Sequence, residues 1–170
     1  MEAIDFVKKI YPIALEIKEI NAKFITAQAA LESGWGKYAI GNNLFGITKG
    51  SWQGKTQLVK TTEYFATPDK KFTLPEKVVS VEKVGDRYKY TVYRLFRDYD
   101  SIKDCLIDHL AILKKDGYKD AWEYRHDPYK FAEKIVDSVG AKYATAPDYA
   151  KTMHDMIRSV EKRLKQLGYH

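Results

Sequence analysis

The stretch from residue 22 to residue 47, "AKFITAQAALESGWGKYAIGNNLFGI", decides how the fold is interpreted. Its first half carries apolar residues on most sides, which predicts a buried helix. Asn21 is a suitable N-cap for this helix, and Gly34 is a natural stop. The second half is rich in glycine, asparagine and aromatic residues and has no sustained period. It is therefore interpreted as a structured loop.

Amphipathic helices are predicted on both sides of this stretch. Residues 4–20 place apolar side chains at spacings of four, three, four and three, which predicts one helix with Pro12 as the candidate for a kink. Ser101 and Asp104 resemble a capping box that opens another helix, with a stripe from Ile102 to Leu113. Shorter helices are expected near 118–125 and 127–138, and a last helix is expected from about Pro147.

The segment between these helices has the pattern of strands. Residues 56–97 contain "TQLVKTTEYFA", "KVVSVEKV" and "RYKYTVYRLF", and Gly85-Asp86 joins the last two runs as the turn of a hairpin. The chain is therefore predicted to be α+β. We expect one catalytic domain over residues 1–170, a mainly helical body interrupted by a small antiparallel β lobe at about 56–97 that flanks the ligand groove.

Composition excludes several classes of protein. The net charge is +6, yet no run of five basic residues occurs and acids alternate with the lysines, so a nucleic-acid partner is not expected. Cys105 is the single cysteine and allows no intrachain disulfide. Four scattered histidines predict no metal site, and no cofactor motif occurs. No segment has the length and apolarity of a membrane span. The 13 Tyr, 7 Phe and 3 Trp suggest an aromatic groove.

Glu32 is the most informative residue of the predicted buried helix. On a helix it lies only about 20° from Ile25 and so shares an apolar face. It also lies in the last turn, where the helix dipole disfavours a carboxylate, and Trp35 adds desolvation. Both effects raise a carboxyl pKa, as a general acid requires. The alternative is that Glu32 turns into solvent or pairs with Lys37.

Four motifs resemble a known family. "AQAALESGWGKYAIGNNLFGI" at 27–47 closely resembles the signature of the glycoside hydrolase family 73 N-acetylglucosaminidases, which hydrolyse peptidoglycan. "TTEYF" at 61–65 looks like the strand that carries the family's second acidic residue. "LFRDYDSIKDCLIDHLAIL" at 95–113 and "AKYATAPDYAKTM" at 141–153 resemble its later blocks. The motifs occur in family order over residues 20–155.

The resemblance implies roles for individual residues. Glu32 matches the general acid, Glu63 the candidate base, and Tyr143 a tyrosine of the catalytic site. A strand glutamate such as Glu63 also has the simpler interpretation that it points to water. Likewise, the asparagines and glycines of the loop also suit left-handed turns. The predicted substrate-binding residues are Trp35, Tyr38, Asn42, Asn43, Phe45, Gly46 and Tyr64.

The function implied is cleavage of the β-1,4 bond after N-acetylglucosamine in peptidoglycan glycan strands, outside the cytoplasm in the cell wall or periplasm. The export signal is expected to be missing from this chain or replaced by another route. An inverting mechanism ranks ahead of one assisted by the substrate's acetamido group. A muramidase, a lytic transglycosylase that uses Glu32 alone, and an inert wall-binding module remain alternatives. Oligomeric state stays open.

Overall fold

The computed structural model describes residues 1–115, 118–137 and 148–170, and the chain divides into two compact units. Met1–Phe45 and Asp100–His170 form the first, which we call the helical unit. Gly46–Tyr99 forms the second, the sheet unit. The described residues contain five α-helices and one three-stranded antiparallel sheet. The predicted α+β class is confirmed.

The helical unit is organised around its second helix. Nine of the twelve residues of that helix are buried, and it packs against the first and the last helices. Phe24 meets Phe131 edge to face, with ring centroids 4.7 Å apart. The five helices are α1 (Ala3–Leu15), α2 (Ala22–Ser33), α3 (Ile102–Lys115), α4 (Pro128–Asp137) and α5 (Tyr149–Gln166).

The ends of α2 follow the sequence prediction. The Asn21 side chain accepts a hydrogen bond from Lys23 N at 2.8 Å, and Gly34 closes the helix in a left-handed conformation. At the start of α3, Ser101 Oγ accepts from Asp104 N at 3.1 Å, as a capping residue does. The local signals for helix ends are therefore confirmed at three positions.

Two predicted helices were too long. α1 ends at Leu15 and not near residue 20. The backbone amides of Glu16 and Ile17 donate to the carbonyls three residues earlier, which is the 3₁₀ pattern and not the α-helical one. Pro12 lies inside α1 without ending it. The helix predicted at 118–125 is a single 3₁₀ turn, Trp122–Tyr124, again built on i−3 bonds. Short segments of this kind lack the length that stabilises an α-helix.

The sheet unit consists of β1 (Thr56–Phe65), β2 (Lys77–Val84) and β3 (Arg87–Arg97), in the order β1-β3-β2. Gly85-Asp86 joins β2 to β3 in the predicted hairpin, with Gly85 at a φ of 63°. The central strand β3 carries the buried residues Tyr90, Val92 and Phe96. In β1, by contrast, half-buried and exposed residues alternate from Gln57 to Phe65. Cross-strand register therefore decides which β1 side chains share the packed face.

Candidate active site

Glu32 lies in the last turn of α2, directly before an unusual chain reversal. Gly34 and Trp35 both adopt a φ of 57°, and Trp35 is the one non-glycine residue with positive φ in the described part of the chain. Trp35 N donates to Ala30 O at 2.8 Å, and Ser33 Oγ accepts from Gly36 N at 2.9 Å. These bonds fix the backbone on the C-terminal side of Glu32.

The electrostatic setting of Glu32 favours its protonated form. The side chain keeps access to solvent, yet desolvation by the surrounding protein raises the pKa of its carboxyl. No ion pair or hydrogen bond ties the Glu32 side chain to another residue described in the structure. The Lys37 ammonium instead lies over the Tyr38 ring, 5.3 Å from its centroid. The alternative of a Glu32–Lys37 pair is therefore wrong, whereas Glu32 is exposed, as the alternative of a side chain turned into solvent expected.

The aromatic residues beside Glu32 differ in accessibility. Tyr38 is 69% exposed and its ring covers Gly34, where an added Cβ would meet Tyr38 Cδ2 at 2.7 Å. Trp35 is half-buried: Phe6 meets it edge-on, and the Arg163 guanidinium lies 5.2 Å from its centroid. Both rings therefore have a cation beside them, but Tyr38 exposes more of its surface to solvent than Trp35 does.

The loop after Trp35 folds back onto α3. Leu44 N donates to Cys105 Sγ at 3.5 Å, and the Phe45 ring stacks on His109 with centroids 3.7 Å apart. Asn43 is completely buried and exchanges backbone hydrogen bonds with Ile40. Its side chain is therefore not exposed to a ligand on the helical unit, contrary to the predicted role in substrate binding. Asn43 therefore fits the simpler interpretation, in which the asparagine forms the loop.

Two other predicted contacts of this loop are more open. Asn42 is half-buried, and Gly46, the first residue of the sheet unit, is exposed with a φ of 60°. Open space surrounds Gly46 where a Cβ would stand. Together with Tyr38 and, on the sheet unit, the 49% exposed Tyr64, these two positions are predicted substrate contacts that keep access to solvent on their own units.

Glu63 does not point freely to water. It occupies the half-buried face of β1, and its Oε2 lies 2.6 Å from Arg94 Nη1. Arg94 Nε also lies 2.7 Å from Glu76 Oε2, which accepts a further bond from Leu95 N at 3.0 Å. The Arg94 guanidinium thus joins two carboxylates on the sheet unit. Burial lowers the pKa of Arg94, but these hydrogen bonds and charges outweigh burial and raise it.

Tyr64 and Glu63 are neighbours that face opposite ways. Tyr64 is 49% exposed, whereas Glu63 shares its face with Arg94. Because successive strand residues point to opposite faces, a ligand lying on the Glu63 face does not touch the Tyr64 ring. Tyr143, the third predicted catalytic residue, lies outside the described residues.

A chain of buried polar side chains, which the sequence analysis missed, runs toward Glu32. Gln28 Nε2 donates to Tyr149 Oη at 3.2 Å, and Gln28 Oε1 lies 2.9 Å from His109 Nε2. Gln28 precedes Glu32 by one helical turn. Burial raises the pKa of Tyr149, and a negative charge on Glu32 adds to this effect. A glutamine inside an otherwise apolar helix was the available sequence signal.

The described residues also bear on metal ligation and on membrane insertion. Within residues 1–115, 118–137 and 148–170, no three histidine, cysteine or acidic side chains gather as a metal site requires. Across those ranges, no helix combines the length and the apolar character needed to traverse a bilayer.

A helix-end glutamate whose carboxyl pKa is raised by desolvation has the property that the acid of a glycoside hydrolase requires. Residues 8–162 match the model of the glucosaminidase family, described as mannosyl-glycoprotein endo-beta-N-acetylglucosaminidase. The chain belongs to this family. The resemblance drawn from the four motifs is therefore confirmed.

Individual relatives agree with this assignment. The chain is 30% identical over 171 residues to peptidoglycan hydrolase FlgJ of Pseudomonas aeruginosa, covering 94% of this chain and 37% of that protein. It is 28% identical to a probable N-acetylmuramidase of Lactococcus lactis, covering 89% and 32%. The solved glycoside hydrolase domain of Salmonella typhimurium FlgJ superimposes with a TM-score of 0.70 at 25% identity, covering 98% of this chain and 93% of that one. The chain spans less than half the length of these curated relatives.

Proposed function

We propose that this chain hydrolyses the β-1,4 bond after N-acetylglucosamine in peptidoglycan, with Glu32 as the general acid. The observation that carries the proposal is the setting of Glu32: a solvent-accessible carboxyl at a fixed helix end, with its pKa raised by desolvation. Such a group keeps its proton at a pH where an ordinary glutamate has lost it. The substrate is supported by relatives named peptidoglycan hydrolase. The reaction then takes place outside the cytoplasm, where peptidoglycan lies.

In the proposed step, Glu32 gives its proton to the glycosidic oxygen while the bond from that oxygen to the sugar carbon breaks. The bonding electrons stay with the leaving oxygen. In the inverting version, Glu63 accepts a proton from the water that attacks the sugar carbon. Since Arg94 bonds Oε2 of Glu63, Oε1 is the carboxylate oxygen proposed to take that proton. Tyr143 is proposed to orient the substrate's acetamido group.

A muramidase is the second candidate, because a relative of this chain is named as a probable N-acetylmuramidase. Glu32 would again be the general acid, and the glycan strand would bind one sugar further along, so that the neighbouring glycosidic bond is cleaved. A lytic transglycosylase differs again, because it leaves an anhydro end. The alternatives therefore share an acid and differ in product.

Digestion of purified peptidoglycan distinguishes these candidates. The native chain and Glu32→Gln are incubated with the same walls, and the new ends are identified by mass spectrometry. Reducing N-acetylglucosamine ends from the native chain alone support the proposal. Reducing muramic acid ends identify a muramidase, and anhydro-muramic ends identify a transglycosylase. If neither chain releases product but both sediment with the walls, the inert binding module is the correct account.

A further inference from the structure

A pocket rich in cations lies on the helical unit, far along the chain from the residues that surround Glu32. Its volume is about 290 Å³, and its walls come from the turn after α1, from the end of α3 and from the segment of the 3₁₀ turn. Three of its side chains are permanently cationic and one is acidic. The lining residues are Lys18, Glu19, Lys114, Trp122, Arg125 and His126.

The one acid of this pocket leaves two of the cations without a carboxylate. Glu19 forms an ion pair with Lys114. Within the described part of the chain, no carboxylate pairs with Lys18 or Arg125, and the Arg125 guanidinium bonds only the Trp122 carbonyl oxygen, at 3.0 Å from Nη1. Arg125 is nevertheless half-buried. A charge that is partly removed from water is costly unless an opposite charge compensates it, so the pocket favours an added anion.

The cations are held in place before any ligand arrives. Lys114 Nζ lies 5.5 Å from the centroid of the Trp122 ring, and Arg125 Cζ lies 5.6 Å from it. Asn21, the N-cap of α2, donates from its backbone N to Arg125 O at 2.9 Å and from Nδ2 to His126 O at 3.2 Å. Side chains and backbone that are already ordered lose less conformational entropy on binding. The fold itself therefore builds this pocket.

We propose that this pocket is a second binding site, which takes an oxyanion, a phosphate or carboxylate group, carried by the cell wall. A guanidinium binds either group through two parallel N–H bonds, and an ammonium adds charge. The wall as the source of the anion rests on the proposed function, which brings the chain to peptidoglycan. Asn21 and Glu32 belong to opposite ends of α2, about 16 Å apart along its axis at 1.5 Å per residue. The site therefore anchors the chain to the wall and takes no part in bond cleavage.

The first test titrates the native chain with inorganic phosphate and, separately, with acetate. Nitrogen-15 NMR follows the indole N–H of Trp122, which Trp122→Phe identifies. Sodium chloride at the same ionic strength is the reference, and we expect a saturable shift with an oxyanion but not with chloride. Lys18→Gln combined with Arg125→Gln should weaken oxyanion binding at least about tenfold, because charge-assisted hydrogen bonds are lost.

Lys8→Gln combined with Lys9→Gln is the matched control. Both lysines are exposed on α1 and lie outside the pocket, and the change removes the same net charge. The control should bind the oxyanion as the native chain does. Equal weakening in the two double variants would mean that only net charge matters, and the site would be wrong. If the pocket variant does not fold, the exposed Lys18→Gln alone carries the test with a smaller loss.

The second test identifies the source of the anion in the wall. Glu32→Gln, with and without the two pocket substitutions, is sedimented with purified walls, so that digestion does not alter them. We expect the pocket substitutions to weaken wall binding. Hydrofluoric acid strips phosphodiester-linked polymers from walls, and amidation neutralises wall carboxylates. The treatment that abolishes the difference between the two chains identifies the group. No difference on untreated walls would overturn wall anchoring.

The outcomes separate this inference from the proposed function. If neither phosphate nor acetate shifts the Trp122 resonance while the native chain digests walls, the oxyanion site is wrong and the hydrolase stands. If an oxyanion binds saturably and the pocket variant loses that binding, the site is supported even where the native chain releases no product from walls. That second result would overturn the proposed function alone.

Discussion

Arg94 Nη1 lies 2.6 Å from Glu63 Oε2, so the candidate base of the sheet unit is held by a guanidinium that also bonds Glu76. The three side chains are only 18–28% exposed. Charge-assisted hydrogen bonds of this kind are stronger than neutral ones and orient the carboxylate. Glu63 therefore has a defined resting position on its own unit, with carboxylate oxygen Oε2 engaged by Arg94.

Arg94→Met should destabilise the chain strongly. Removing the guanidinium leaves two half-buried carboxylates without their shared cation, and the free energy of unfolding should fall by about 2 kcal/mol. Urea denaturation followed by circular dichroism measures the change. Arg87→Met, at the exposed start of β3, is the matched control and should change stability little. Equal stability of the two variants would mean that the pairing contributes nothing to the fold.

The two glutamates should differ in their effect on turnover. Glu32→Gln should lower turnover on purified walls by at least about a hundredfold, the scale typical of a lost general acid, while the fold stays intact. Glu63→Gln should lower it less. Glu123→Gln, an exposed change in the 3₁₀ turn, is the control. An unchanged rate in Glu63→Gln would transfer its role to Tyr143 and the substrate's acetamido group.

Glu32 should also make stability depend on pH. Its pKa is raised in the folded state, so the folded chain is favoured while the carboxyl is protonated. That contribution is complete when the pH is below the pKa that Glu32 has in the unfolded chain. It is lost as the pH rises through the pKa that Glu32 has in the folded chain. Glu32→Gln lacks the ionisation and should melt at a higher temperature than the native chain at pH 7. The two should melt together at pH 3, and a constant difference would contradict the raised pKa.

Product stereochemistry tests the role of Glu63 independently. An inverting reaction on a β bond releases the α-anomer first, because water attacks from the face opposite to the leaving oxygen. Proton NMR of a freshly digested soluble fragment detects that anomer before it mutarotates. Initial release of the β-anomer would indicate substrate assistance or a covalent intermediate.

Local signals predicted the surroundings of Glu32, because a helix stop at Gly34 depends on residues close in sequence. Tertiary partners were not predictable in this way. Gln28 and Tyr149 are 121 positions apart, and no pattern in either segment names the other. Glu63 pairs with Arg94 because the register of β1 against β3 brings the two side chains within reach of each other. Family resemblance identified the carboxylates but supplied none of the groups that hold them.

Burial of the single cysteine has a practical consequence. Burial raises the pKa of the Cys105 thiol to about 12, outweighing the hydrogen bond from Leu44 N, so the native chain presents no reactive thiolate at neutral pH. A cysteine introduced at an exposed position therefore reacts alone. Tyr38→Cys would replace one predicted substrate contact by a single fluorophore beside Gly34 and would leave Cys105 in place. The proposed binding of a glycan strand at the end of α2 can then be followed optically, in real time and at a single labelled site.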